Sequence, residues 1–347
     1  MRLIMMEYRG NIRIFIQETR RAMNILRRLT TAISILTITL LLGGCFNLTT
    51  NPSTDDHEEN PPANGEGENP PDNQPSGAND SDPYIPIQEY TGEGYELDGG
   101  ELTQPIANEN LPEIEEAVKK FFIDEYKTEV IVHNVVGARE AATVFVESVG
   151  EPHFYSFAVV PIDLANENVL LEEVFSENGQ VEMAIVTGVY AMIYKEEMKN
   201  IDDYLSDIAI EYPVTGMSVE AIENVGGSGF ATEYYYLSGL EKAFDGIVEK
   251  YKENPERSRD EWEELYPKDE LDPENIFFTI RLHMDQENVD VDEELFEKLE
   301  KDIESIDNVP PGRYSIFLYD NNIDPRNLQG SRTNVMERAV PNEIIKP

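Results

Sequence analysis

Four histidines and one cysteine are the side chains of this 347-residue chain best suited to act as base, nucleophile or metal ligand near neutral pH. Their spacing assigns none of them to a catalytic centre. His57 lies in a polar stretch, while His133, His153 and His283 fall in runs with strand character. No pair has the short helical interval that turns two imidazoles toward one metal ion. His133 shares its predicted strand face with Ile131 and Val135, so a structural histidine with a local partner is expected there. Convergence of His133, His153 or His283 with carboxylates in one cleft would change that reading, because acids are abundant enough for folding to bring a pair together.

Three short motifs approach known chemistry and miss it. Gly226-Gly227-Ser228-Gly229 begins like a nucleophile elbow, but Phe230 stands where the fifth position requires Gly. It also lacks the Lys of a phosphate-binding loop, so a glycine turn before a strand is expected. Asp320-Asn321-Asn322-Ile323-Asp324 alternates oxygen donors as a calcium loop does, with Pro325 at the position needing Gly and Ser331 at the position needing Glu. Tyr234-Tyr235-Tyr236 offers a stacking surface, yet at strand spacing Tyr235 faces away from its neighbours, giving half core and half surface. The sequence therefore assigns no catalytic, cofactor-binding or metal-binding residue and implies no cofactor.

The cysteine has a clearer setting. Arg27 and Arg28 form a basic head, residues 31–42 an apolar run, and Leu42-Gly43-Gly44-Cys45 a small-residue exit. These are the three parts of an export signal. The run is too short to span a bilayer, which takes roughly 20 apolar residues. Leu42 to Cys45 resembles the bacterial lipobox, which implies acylation of the Cys45 thiol and cleavage before it. Residues 23–44 then read as the signal peptide, Met23 as the true start, and residues 1–22 as an extension excluded from fold reasoning.

Residues 46–83 hold nine acids, no Lys or Arg, and almost no aliphatic or aromatic side chains. Such a segment cannot bury enough apolar surface to offset its ordering entropy, so a disordered stalk is expected. From Tyr84 the patterning becomes regular, which predicts one large domain, or two interlocked subdomains, over residues 84–347. The whole chain carries 27 Lys and Arg against 69 Asp and Glu. Phosphates would be repelled, which excludes nucleic acid as a partner and argues against a basic face on anionic lipid. The spread of the acids reads as a solvating surface.

The periodicity that must position any site is α+β. Helices are predicted over residues 110–126, with Asn110 as cap and Glu113 as its capping-box partner, and over 181–199, 201–211, 218–224, 240–252 and 292–306. Ala184 and Gly188 in the second of these are expected to let another helix approach closely. Strands are predicted over 129–136, 143–149, 153–162, 230–237, 276–284 and 313–319. Short connections make the first three antiparallel neighbours, and apolar residues on both faces make 153–162 the central one. The last strand–helix–strand is long enough for a parallel crossover, and the tail from Asp320 reads as polar and irregular.

Residues 85–97, IPIQEYTGEGYEL, and residues 137–163, GAREAATVFVESVGEPHFYSFAVVPID, resemble a family of Gram-positive lipoproteins known only as a domain of unknown function. The resemblance extends from about Tyr84 to the C-terminus. It supplies no activity or site residues and implies lipidation of Cys45 and a membrane-anchored, extracytoplasmic location. The expected function is a non-enzymatic domain that binds a partner protein or ligand outside the membrane. The alternatives are the solute-binding component of a transporter, against which the run of consecutive strands speaks, and a wall or peptide hydrolase, for which no nucleophile, metal or carboxylate spacing is found.

Overall fold

A computed structural model describes residues 83–347, apart from 178, 241–245, 269–271, 329 and 331–333. The signal peptide, Cys45 and all of the stalk but its last residue lie outside the described residues. Among those described, no helix is long and apolar enough to cross a membrane.

A two-residue strand β1 (Ile85–Pro86) opens the chain, followed by helices α1 (Gly100–Glu109) and α2 (Leu111–Tyr126). The α2 stripe matches its period, with Ile114, Val118, Phe122 and Tyr126 buried. Its start differs from expectation. Asn110 makes no side-chain cap, because α1 runs straight into α2 and the Asn110 amide donates instead to the Ile106 carbonyl at 2.8 Å. An N-cap competes with any acceptor nearby, and here the orphaned carbonyls of the preceding helix took the side chain.

The first sheet is antiparallel, ordered β2 (Val130–Ala138), β3 (Ala141–Ser148), β4 (Tyr155–Asp163) and β5 (Asn168–Val169). The segment over 153–162 is an interior strand as expected, β4, and it shares the centre of the sheet with β3. Residues 142–146 are buried without interruption, whereas β4 alternates in burial and is covered on its outer side piecewise, by the two-residue β5 and by single bridges from Tyr155 to Gly229 and from Val159 to Phe175. Ala142, Val144 and Val146 enter the main core, while Phe145 meets Tyr95 on the opposite face, at 6.0 Å edge-to-face.

Next comes α3 (Gln180–Ile193), 11 of whose 14 residues are buried, as expected of a helix enclosed on all sides. It packs on β4, on strand β7 (Tyr235–Gly239), and on α6 (Ile247–Glu253) and α7 (Arg259–Leu265). The break expected near Asn200 falls at Tyr194, and α4 runs unbroken over Lys195–Glu211. Tyr194 leaves helical geometry, with its ring tilted against that of Tyr190 at 4.6 Å and its hydroxyl donating to the Lys268 carbonyl at 3.0 Å. Gly188 meets the 152–154 connection of the first sheet and not another helix. Between α4 and β7 lie β6 (Val214–Thr215) and α5 (Val219–Val225), the latter capped by Ser218.

The second sheet centres on β8 (Ile276–Met284) and β9 (Gly312–Tyr319), paired in parallel across helix α8 (Glu293–Ser305), as the crossover predicted. Strands β6 and β7 pair antiparallel along β8. The tail corrects expectation, since β11 (Val335–Arg338) and β12 (Ile344–Lys346) both pair with β9, and β10 (Asn322–Ile323) pairs with β1. One core spans both sheets, and Phe278 stacks on Tyr314 at 4.3 Å within it. A smaller core of Ile87, Tyr90, Tyr155, Met217, Ala221, Ile222, Val225 and Ile323 lies against the other face of the first sheet, under α5 and β1.

Candidate functional site

Two of the strand histidines do converge on carboxylates. His133 Nε2 lies 2.8 Å from Glu147 Oε2, and His153 Nε2 lies 2.8 Å from Glu147 Oε1, so one carboxylate bridges two imidazoles. Glu223 of α5 approaches from the far side, 4.0 Å from His133 Nδ1. The side chains are between 15% and 32% exposed, within reach of solvent but held in place.

Local structure explains the convergence. The register between β2 and β3 slips between Val132 and Asn134, which leaves His133 as the extra residue of a β-bulge. A bulge re-aims the side chain it carries. The next residue fixes the spacing, because the Asn134 amide donates to the Asn224 carbonyl at 3.0 Å and holds α5 beside β2. Glu147 sits opposite Tyr155 across the β3–β4 pair, and His153 lies just before β4, its ring edge-on to Tyr155 at 5.1 Å. Burial, and next the charges of Glu147 and Glu223, raise the Tyr155 phenol to about 12, so it stays neutral.

Tyr155 also lines a cleft of about 290 Å³ between the sheets, together with Phe230, Tyr234, Tyr236, Arg281 and His283. The expected strand over 230–237 is a tight hairpin here. Leu237 N donates to Phe230 O and Thr232 N to Tyr235 O, and the strand proper begins at Tyr235. Tyr235 is buried and Tyr236 exposed, as alternation predicted. The Arg281 guanidinium lies 5.0 Å over the Tyr236 ring and pairs with no carboxylate among the described residues. His283 is 2% exposed, stacked on Tyr319, with Nδ1 3.3 Å from the Asp320 carbonyl. Burial, followed by the nearby Arg281 charge, lowers it to about 4, so it is neutral at pH 7.

The near-miss motifs resolve into structural roles. Ser228 donates to the Gln180 carbonyl at 2.9 Å and lies 3.2 Å from Ser156, and among the described residues no serine hydroxyl bonds a histidine. In the acidic loop, Asp324 is taken by Arg326, whose Nε and Nη2 donate to its two oxygens at 3.0 and 2.8 Å. Asp320 caps its own turn by accepting from Asn322 N at 2.9 Å. The cluster itself escaped sequence reasoning because 14 residues separate His133 from Glu147 and 76 separate Glu147 from Glu223, intervals without periodic meaning.

The profile of a family described as "Protein of unknown function (DUF1672)" matches residues 77–346. No curated protein matches the chain. The fold is similar to the 1.80 Å crystal structure of a DUF1672 family protein from Staphylococcus aureus subsp. aureus Mu50, with a TM-score of 0.59 over 77% of this chain and 99% of that one. Identity between the two is 19%, so the likeness is one of fold.

Proposed function

The chain belongs to this family of unknown function, and from that premise we propose that it is a lipid-anchored, extracytoplasmic protein whose domain binds a small ligand without transforming it. The anchor is Cys45, supported by the basic head, the short apolar run and Leu42-Gly43-Gly44-Cys45. The observation that carries the binding reading is Arg281. In a domain where acids outnumber bases nearly threefold, it stands in an aromatic cleft with no carboxylate partner among the described residues. Aromatic walls with one fixed cation suit a flat apolar body bearing an anionic group.

Two measurements on the full-length protein test this. Cys45→Ala is expected to release the protein from the membrane fraction or leave the precursor uncut; a Cys45→Ala protein still in the membrane at mature mass would remove the anchor. For the cleft, the probe is anilinonaphthalene sulfonate, a planar anionic dye. A Cβ added at Gly227, which lines the cleft, meets no atom within 4 Å, so Gly227→Leu should fold and obstruct the space. Saturable dye uptake is expected in the native protein, abolished by Gly227→Leu and weakened by Arg281→Gln. Equal uptake in all three proteins would refute the cleft as a binding site.

A further inference from the structure

We propose that His133, Glu147 and Glu223 form a binding site for one divalent transition-metal ion of the zinc class. One ligand atom from each residue lies within 4.8 Å of the other two. Bonds of about 2.0–2.2 Å place the donors of a bound zinc roughly 3–4 Å apart, and because Glu147 lies at Nε2 of His133 and Glu223 at Nδ1, closure requires the Glu223 carboxylate and the imidazole to turn toward one another as well as draw inward. Glu223 can supply its part, being the most exposed of the three on a two-turn helix.

The donor set names the class of ion. Imidazole with carboxylates suits zinc, manganese, iron, cobalt or nickel, whereas calcium and magnesium prefer oxygen alone. A neutral imidazole gives a lone pair from one nitrogen and keeps its proton on the other, so His133 binds the ion through a single nitrogen and the acid that now faces the other nitrogen must swing to that side on binding. His153 has a separate part. Its Nε2–H holds the second oxygen of Glu147 and orients that carboxylate for the ion, as outer partners of metal ligands do.

Three further observations point the same way. The bulge aims His133 at the two acids, and Asn134 clamps α5 at the spacing the site needs. Neither Glu147 nor Glu223 pairs with Lys or Arg among the described residues, so no fixed cation supplies the positive charge that two half-buried carboxylates favour. The strongly negative domain raises the local cation concentration besides. The site is separate from the cleft wall that carries Arg281, so either proposal can fail alone.

The test uses the full-length protein, extracted in detergent and stripped with chelator, titrated with Zn²⁺ at pH 7.5 by calorimetry and by melting temperature. One ion per chain and a saturable rise in melting temperature are expected, unaffected by millimolar Mg²⁺. His133→Gln and Glu223→Gln should each weaken binding at least tenfold and His153→Gln roughly tenfold, within the span known for ligands and their outer partners. Cobalt substituted for zinc should show visible absorption bands that His133→Gln removes. Melting temperatures without metal establish that each variant folds; should His133→Gln fail, Glu223→Gln at the least buried of the three positions decides. No stoichiometric binding, or equal binding in both variants through ions spread over the acidic surface, would overturn the proposal.

Discussion

At the scale of single residues, His283 shows how burial decides a titration. Its native value lies near 4, below the ordinary 6.5 of an unfolded chain, chiefly because water is excluded and secondarily because Arg281 stands nearby. Above pH 6.5 both states are neutral, and the site adds no pH dependence. As pH falls from 6.5 to 4 the unfolded chain takes up a proton that the native state refuses, so stability is lost across that window, by about 3 kcal/mol in full. Urea unfolding of the wild type against His283→Asn should show the wild-type advantage shrinking between pH 6.5 and 4.5. A constant difference would mean that the native histidine titrates normally. Its neighbour Asp320 follows the same logic of local satisfaction, since its carboxylate serves its own turn.

Among the elements, α3 packs on a strand of each sheet, and its Gly188 lies against the 152–154 connection of the first. An added Cβ would meet the His153 carbonyl at 2.9 Å and the Phe154 and Pro152 side chains at 3.2 and 3.3 Å. Gly188→Ala is expected to cost about 1–3 kcal/mol by overpacking and to shift His153 relative to Glu147. Chemical denaturation checks the first effect; an unchanged midpoint would show that the 152–154 connection yields freely. Helix α7 was overlooked in sequence although its signal was legible. Ser258 accepts from Glu261 N at 3.4 Å while Glu261 accepts from Ser258 N at 2.8 Å, a full capping box, and the buried Trp262 follows. Ser258→Ala should lower stability by about 1 kcal/mol, measured by the same denaturation; no loss would mean the box is redundant beside Trp262.

For the whole molecule, charge is the dominant fact. Residues 84–347 carry 20 Lys and Arg against 58 Asp and Glu, a net charge of −38. Several of the ion pairs are exposed i,i+4 helix pairs such as Lys119–Glu115 and Lys301–Glu297, each worth only a few tenths of a kcal/mol. They cannot cancel repulsion on that scale, which the unfolded chain relieves by expanding. Melting temperature should therefore rise with sodium chloride into the molar range as the screening length falls from about 8 Å at physiological strength to about 3 Å at 1 M. A flat series would show that paired charges already neutralise the field. Limited proteolysis belongs to this scale too: cuts are expected within residues 46–83, leaving a core beginning near Tyr84, and first cuts inside the core would refute the stalk.

What the sequence determined by itself was local and periodic. The α2 stripe and the Asp292 cap of α8, which accepts from Leu295 N at 3.0 Å, depend on residues within a few positions of one another, and period or cap chemistry reveals them; the β8–α8–β9 crossover followed from the order and length of its three elements. The antiparallel pairing of β2, β3 and β4 followed from connections too short for any other path. Tertiary structure alone decided the rest. The break at Tyr194 leaves the apolar period undisturbed, because a phenol hydroxyl bonded to a carbonyl 74 residues away does not register in periodicity. β11 and β12 are too short to show a pattern and exist as strands because β9 offers them an unpaired edge. The His133–Glu147–Glu223 cluster needed a bulge, a strand pair and a helix from three separate stretches of chain. Its residues have no common spacing in sequence, and their proximity is a property of the packed sheet and helix only.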